Sequence, residues 1–126
     1  MQNNYLFEYA VLRVVPRVER EEFMNIGVIL YCAKKRFMQS VFVIDETRLL
    51  ALCPSMDIDE IRCHAAAFER ICNGKGGGPI GELDMPSRFR WLTATRSTVF
   101  QSSKVHPGFC NEPEDMLQRL TEQLVL

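Results

Sequence analysis

The stretch NIGVILYCAKKRFMQSVFVI, residues 25–44, decides the fold. An apolar run over residues 25–33 is followed, after the polar pair Lys34 and Lys35, by a second apolar run over residues 36–44. Two such runs with a short polar break between them predict an antiparallel β-hairpin. Residues 6–15, rich in aromatic and β-branched side chains and followed by Pro16, predict a further strand.

Helical patterns follow the hairpin. Residues 46–53 predict a short helix that Pro54 ends, and Asp57 with Glu60 three residues later resembles a capping box that starts a longer helix ending at Gly74. Apolar residues recur on that helix at helical spacing, and we expect them to be buried. They are Ile58, Ile61, Ala65, Phe68 and Cys72.

The last third of the chain is less uniform. Residues 85–94 fit either a helix or a strand, residues 96–102 predict a strand, and residues 111–125 predict an amphipathic helix. The side chains expected to be buried on this last helix are Met116, Leu117, Leu120 and Leu124. The order of elements predicts an α+β fold, a mostly antiparallel sheet with helices packed on one face.

The length of 126 residues fits a single domain over residues 1–126. Residues 73–81 are interpreted as a flexible glycine-rich connector. Their glycines follow a helix and run into Pro79, whereas a phosphate-binding loop follows a strand and enters a helix through Lys-Ser or Lys-Thr. We therefore predict no phosphate loop in this segment.

Composition narrows the classes of function. The net charge of -1 disfavours binding to long nucleic acid by bulk electrostatics, although a local basic surface would still allow it. No secretory pattern and no apolar run of about 18 residues is present, so we expect a cytoplasmic protein that does not enter the membrane. The five cysteines form an odd set without a C-x-x-C pair and predict reduced thiols, with no metal and no cofactor.

The first candidate block surrounds Arg13. Strand alternation places Arg13 in an apolar stripe, where a guanidinium needs a carboxylate, and Glu22 and Asp45 are the nearest candidates. If Arg13 is buried and paired, its replacement by alanine should cost about 2 to 4 kcal/mol. The functional alternative is a cation positioned for an anionic ligand. Gly27 predicts close backbone packing or a bulge, and Asn25 predicts a cap or bridge at the preceding turn.

The second candidate block centres on His106, in a predicted loop beside Pro107 and Gly108. A histidine there could fasten the loop, bind a ligand or partner, or act as an acid or base. Residues that could lie close to it are Arg96, Ser97 and Ser103. Phe89 and Trp91 with Arg88 and Arg90 could form an aromatic and basic surface for stacked bases, but the favoured interpretation of Trp91 is a core residue with its indole N–H satisfied.

Both blocks resemble one bacterial family, the domain of unknown function 3037. The first match covers Tyr9 to Pro16, Arg20, Glu22-Phe23 and Asn25 to Val28, and the second covers Arg88 to Ala94, Arg96-Ser97, Ser103, Val105-His106, Gly108 and Cys110. The chain departs from the family at Thr95 and Pro107, beside Arg96 and His106. The resemblance implies a loose genomic association with HipA-like kinases, proteins of toxin-antitoxin ancestry, and brings no established reaction, cofactor or catalytic residue.

Two hypotheses follow for function. The first is a non-enzymatic accessory or interaction module that binds a partner, such as a HipA-like kinase, through residues 88–110. The alternative is a small hydrolase or nuclease with His106 as general base and with Arg13 and Arg96 stabilising a phosphate. No carboxylate pair or nucleophile with a neighbouring base accompanies these residues, which favours the first hypothesis without deciding whether the protein is an enzyme. The candidate ligand- or partner-binding residues are Arg13, Glu22, Asn25, Arg90, Trp91, Arg96, Ser97, Ser103 and His106.

Overall fold

Five antiparallel strands form one sheet in the computed structural model, which describes residues 4–94, 96 and 98–126. The strands are β1 (Tyr5–Val14), β2 (Met24–Cys32), β3 (Phe37–Phe42), β4 (Phe100–Ser102) and β5 (His106–Cys110). β1 lies at the centre, with β2 and then β3 on one side, and with β4 and β5 end to end on the other. The predicted hairpin of residues 25–44 is confirmed as β2 and β3.

Five α-helices are described, and three of the five begin at an aspartate cap. They are α1 (Glu46–Leu52), α2 (Ile58–Asn73), α3 (Gly78–Gly81), α4 (Met85–Leu92) and α5 (Pro113–Leu124). The side chains of Asp45, Asp57 and Asp84 each accept a hydrogen bond from a backbone N–H in the first turn of α1, α2 and α4. The ambiguous residues 85–94 thus contain a helix, because Asp84 caps it and Pro86 lies in its first turn.

Helices cover both faces of the sheet. Ala10 and Leu12 of β1 pack in one cluster with α2 and α4, whereas Phe7 of β1 and Leu30 of β2 pack in another with α5. The α+β class and the antiparallel sheet are confirmed, but the helices do not share one face as expected. The reason is that β2 is buried at nearly every successive position, so both of its faces need cover.

The buried positions of the longer helices largely follow the predicted spacing. On α2 all five expected residues are buried, and Gly74, with φ of 71°, ends the helix in the left-handed conformation. On α5 Leu117 and Leu120 are buried, while Met116 and Leu124 are half-buried at the edge of the same cluster. The segment 73–81 holds the last residue of α2 and the short α3, and its flexibility stays a prediction.

β5 was not predicted, and it places His106 in a strand instead of a loop. Pro107 and Gly108 obscure the strand pattern, yet proline is tolerated at a sheet edge, and β5 has β1 as its only partner among the described strands. Gly108 is required there because an added Cβ would lie 2.6 Å from the Phe7 ring. β4 is also shorter than the strand predicted over residues 96–102.

A bulge joins β4 to β5. Leu12 pairs with Ser102 and Tyr9 with His106, so three residues on the edge side face two residues of β1. Ser103 repairs the pairing: its N–H donates to the Val11 carbonyl at 2.8 Å, and its Oγ accepts from the Val11 N–H at 2.8 Å. Ser103 therefore has a structural role in holding the two short strands against β1.

No helix in the described part of the chain has the length and apolar character needed to cross a bilayer.

Candidate functional site

Arg13 and Arg96, one from each sequence block, line a single cavity of about 330 Å³, here called the Arg13 cavity. β1 supplies Arg13, β4 supplies Gln101 directly opposite it, and the segment before β2 supplies Phe23. The full lining is Arg13, Val15, Val18, Glu21, Phe23, Arg96 and Gln101. The fold thus brings together two cations that are more than 80 residues apart in sequence.

Arg13 is half-buried and stacks on an aromatic ring. Its guanidinium carbon lies 4.1 Å from the centroid of the Phe23 ring, and its Nε is buried without a hydrogen-bond partner among the described residues. Burial lowers the pKa of Arg13 below its ordinary value. One face of the Arg13 guanidinium is therefore covered by the Phe23 ring, while a buried N–H is left to be satisfied.

The expected pairing of Arg13 with Glu22 or Asp45 is wrong. Glu22 forms an exposed ion pair with Arg20, which lowers the pKa of the Glu22 carboxyl, and Asp45 caps α1. No carboxylate in residues 4–94, 96 and 98–126 lies within ion-pair distance of Arg13. The physical reason is that both expected carboxylates are engaged elsewhere: Glu22 is held by Arg20, and Asp45 by the first turn of α1.

Asn25 lies on β2 directly opposite Arg13 of β1, and its side chain holds the end of α5. Its Nδ2 donates to the Leu124 carbonyl at 3.0 Å, so it caps a distant helix and not the preceding turn as expected. Its Oδ1 is buried without a hydrogen-bond partner among the described residues. The expectation for Gly27 is confirmed, because an added Cβ would lie 2.7 Å from the Val41 carbonyl oxygen.

Trp91 is exposed and carries Arg96 on its ring. The Arg96 guanidinium carbon lies 4.5 Å from the centroid of the Trp91 ring, and Arg96 Nη2 donates to the Trp91 carbonyl at 2.7 Å. Trp91 is 40% exposed and is therefore not the core residue that one interpretation predicted. Arg96 also borders a second cavity of about 280 Å³, the Trp91 groove, lined by His64, Ala67, Phe68, Ile71, Trp91, Leu92, Arg96, Thr98 and Phe100.

His64 is not among the site residues predicted from the sequence. Its ring stacks on Phe100 at 5.8 Å and 20°, and its Nε2 lies 3.8 Å from Glu60 one turn earlier on α2. The helical spacing of residues 64, 67, 68 and 71 could have indicated a shared face of α2. The sequence does not indicate that this face of α2 packs against β4, because β4 lies about 30 residues further along the chain.

The stretch Arg88 to Trp91 does not form one continuous stacking surface. Phe89 is buried in the core beside Tyr31, while Arg90 is exposed. Arg88 donates from Nη1 to the Leu83 carbonyl at 2.7 Å, which fixes the turn between α3 and α4. Trp91 is thus the one ring of this stretch on the surface, and Arg96 already stacks on it.

His106 lies apart from the Arg13 cavity. It is exposed at the start of β5 and packs against Tyr9, with ring centroids 5.3 Å apart. Tyr9 precedes Arg13 by four residues on β1, a separation of about 13 Å along a strand. Ser103 lies in the bulge between β4 and β5, and Ser97 lies outside the described residues. The structure therefore does not bring His106 together with Arg13 and Arg96.

The described residues offer binding groups more than reactive ones. No group of three His, Cys, Asp or Glu side chains in the described part of the chain could hold a metal ion. The cysteines are free thiols, of which Cys32, Cys72 and Cys110 are buried. The two adjacent cavities combine guanidinium groups with aromatic rings, an arrangement that can hold an anion beside an apolar group.

A family model described as "Protein of unknown function (DUF3037)" matches residues 9–125, which include every lining residue of the two cavities. No curated protein and no solved structure matches the chain.

Proposed function

The chain belongs to the DUF3037 family, and from that premise we propose that it is a non-enzymatic interaction module that docks a partner protein through the Trp91 groove. The partner segment that fits this groove carries an apolar side chain next to a carboxylate. The observation that carries the proposal is the exposed Trp91 ring with the Arg96 guanidinium stacked on it.

The walls of the groove suit an apolar side chain. Ala67 and Ile71 from α2 and Phe100 from β4 contribute apolar surface beside the Trp91 ring. Tryptophan and arginine are the residue types most often found at the energetic centre of protein interfaces, since they bury a large area with few rotatable bonds or with many donors. A partner side chain inserted here would be desolvated on several sides.

The charges at the rim suit a carboxylate. Arg96 uses one N–H for the Trp91 carbonyl, so the other guanidinium donors remain for a partner. His64 lies at the α2 side of the same groove, where it could add a second donor. Stacking on Trp91 holds the Arg96 guanidinium in one plane, which reduces the conformational entropy lost on binding.

The alternatives have weaker support. A single-strand nucleic-acid surface needs successive rings for successive bases, but Phe89 is in the core and Arg96 covers Trp91. A hydrolase with His106 as base would need that histidine beside Arg13 and Arg96, but His106 pairs with Tyr9, four residues before Arg13 on β1, and does not line the Arg13 cavity. Both alternatives therefore lack the geometry on which they depend.

The first partner to test is a HipA-like kinase, which the resemblance to the family suggests through genomic association. On this proposal the protein acts in the cytoplasm as an accessory to a toxin-antitoxin type of system. The free state of the cysteines supports a reducing location.

The experiment begins with the tagged protein, purified at moderate salt with and without nuclease, and with identification of a stoichiometric protein partner. The affinity of that purified partner is then measured by calorimetry for the wild type and for Trp91→Ala and Arg96→Gln. We expect each substitution to weaken binding by about 10-fold or more, as at the centre of an interface. The matched control is Arg119→Gln, an exposed arginine on α5 that does not line the groove, which should change affinity less than about 2-fold.

Unchanged affinity in both groove variants would contradict the proposal, as would release of the partner by nuclease. Turnover of a phosphate ester that is lost in His106→Ala would instead support the enzyme hypothesis.

A further inference from the structure

In the described part of the chain, a buried donor without a partner lies in the wall of the Arg13 cavity, and an unsatisfied acceptor lies outside the lining, on the neighbouring strand. Arg13 Nε is a buried donor and Asn25 Oδ1 a buried acceptor, and neither has a hydrogen-bond partner among the described residues. The two residues lie opposite each other on β1 and β2. Buried polar groups are nearly always hydrogen-bonded, so each unsatisfied group calls for an explanation.

The guanidinium of Arg13 is held in place but not neutralised. Phe23 fixes one face of its plane at 4.1 Å, and no described carboxylate pairs with it. A half-buried charge without a counterion is costly, and an anion entering the cavity would remove that cost. The site is thus organised before binding, with its cation already partly desolvated.

The charge of the lining selects the type of anion. Arg13 and Arg96 contribute two positive charges and Glu21 one negative charge, which leaves one positive charge for a ligand to balance. A planar monoanion matches the planar donor fork of a guanidinium, whereas a phosphate dianion would exceed the positive charge and lie near the Glu21 carboxylate. The charge balance and donor shape therefore favour a carboxylate.

The remaining walls favour a short apolar group attached to that carboxylate. Val15, Val18 and Phe23 form the apolar part of the lining, and the cavity of about 330 Å³ has room for a few carbon atoms beside the anion. Gln101 lies opposite Arg13 on β4. Its Nε2 already donates to the Thr98 carbonyl, so that N–H is not available to a ligand. The lining therefore suits an aliphatic acid, with apolar side chains for its carbon atoms and arginines for its carboxylate.

We infer that the Arg13 cavity is a binding site for an aliphatic carboxylate, held by the Arg13 and Arg96 guanidinium groups against Phe23. The inference goes beyond the docking module, since a carboxylate site at Arg13 stands even if the Trp91 groove binds no partner. The ligand is either a free small acid or the carboxylate at the end of a peptide chain. Both sources present the same group to the two arginines.

The test is a titration of the full chain with butyrate at constant ionic strength. The readouts are the N–H resonance of Arg13 Nε and the fluorescence of Trp91, the single tryptophan of the chain, on which Arg96 stacks. We expect a saturable change in both signals. Butyramide, the neutral isostere, should produce none, and inorganic phosphate should bind at least about 5-fold more weakly, since its charge and shape fit less well.

Variants separate a specific site from general attraction of anions. Arg13→Lys keeps the charge but loses the planar fork, and it should weaken butyrate binding by about 10-fold or more. Arg119→Lys, an exposed arginine on α5 outside the cavity, is the matched control and should leave affinity unchanged. If Arg13→Lys does not fold, the response of the wild-type Arg13 Nε resonance to butyrate still tests the inference.

Failure of that resonance to shift with butyrate would overturn the inference, and so would tighter binding of phosphate or an equal response to butyramide. An acetylated tripeptide ending in valine then distinguishes the sources. Tighter binding of its free acid than of butyrate would identify a peptide terminus, and equal or weaker binding would identify a free small acid. Both results would support a carboxylate site.

Discussion

Arg13 illustrates how the neighbours of a side chain set its energetic contribution. The sequence predicts a buried ion pair, but the guanidinium stacks on Phe23 without a carboxylate. An aromatic contact of this kind contributes about 0.5 to 2 kcal/mol, less than a buried charge pair loses when one partner is removed. The earlier figure of about 2 to 4 kcal/mol for Arg13→Ala assumed the pair, so it needs to be reduced.

We expect Arg13→Ala to lower the free energy of unfolding by about 1 kcal/mol, mainly through loss of the contact with Phe23. Denaturant unfolding followed by circular dichroism measures it, with Arg119→Ala as an exposed control that should change the free energy by less than about 0.5 kcal/mol. The double variant with Phe23→Ala should show coupling between the two residues. A loss above about 3 kcal/mol would indicate an ion pair and contradict the stacked arrangement.

The cysteines differ in environment, and their reactivity should follow. Burial raises the pKa of the Cys72 thiol to about 11, so at pH 8.5 almost none of it is the reactive thiolate. Cys63, on the exposed side of α2, is open to solvent. Iodoacetamide should therefore modify Cys63 in the native protein well before Cys72, as mass spectrometry of peptides can show. Equal rates for the two thiols would mean that α2 opens easily.

At the scale of elements, the join between β4 and β5 depends on one hydroxyl. Ser103→Ala leaves the Val11 N–H without its acceptor in the bulge, and we expect a loss of about 1 to 2 kcal/mol in unfolding free energy. Hydrogen exchange at the Val11 amide should become faster at the same time. Ser103→Thr, which keeps the hydroxyl, should retain most of the protection. Unchanged exchange at Val11 in the alanine variant would exclude this role.

Elements with local signals were predictable, and elements that depend on distant pairing were not. Asp57 and Gly74 mark the ends of α2, and its buried residues follow from helical spacing alone. β5 contains Pro107 and Gly108, so its strand conformation comes from pairing with residues at the start of the chain. Local propensity carries no information about a distant strand partner, so the sequence predicts a loop at His106.

At the scale of the whole molecule, two apolar clusters share the central strands. The cluster with α2 and α4 lies on one face of β1 and β2, and the cluster with α5 lies on the other. Loss of the helices on either face would expose β1 and β2, and the cluster on the opposite face is built on the same two strands. We therefore expect a single cooperative unfolding transition.

Leu120→Ala tests this cooperativity from the α5 face. The loss of a buried leucine should cost about 2 to 4 kcal/mol, and it should shift the midpoints of far-UV circular dichroism and of Trp91 fluorescence equally, although Trp91 lies on α4. The control is Gln123→Ala, an exposed position on α5, which should shift neither midpoint appreciably. A fluorescence midpoint that stays in place while the dichroism midpoint falls would show that the two faces unfold separately.

The candidate site forms only when distant segments pack together, so its residues could not all be predicted from the sequence around them. Arg13 and Arg96 were recognisable as costly charges among apolar residues, but their shared cavity requires β1 and β4 to be neighbours. Phe23 and His64 were not singled out, because their importance lies in rings and cavities formed by other segments. Residue type gave the candidates, and the distant strand pairing determined which of them meet.

The central position of β1 also has a consequence in time. During synthesis β1 emerges early and can pair with β2, but its other edge waits for residues 100–110. At about 5 to 20 residues per second, translation takes roughly 5 to 20 s to supply them. Throughout that interval a mostly apolar strand has one open edge that could pair with a neighbouring nascent chain. Conditions that slow the ribosome between residues 33 and 100 should therefore raise the aggregated fraction of newly made protein.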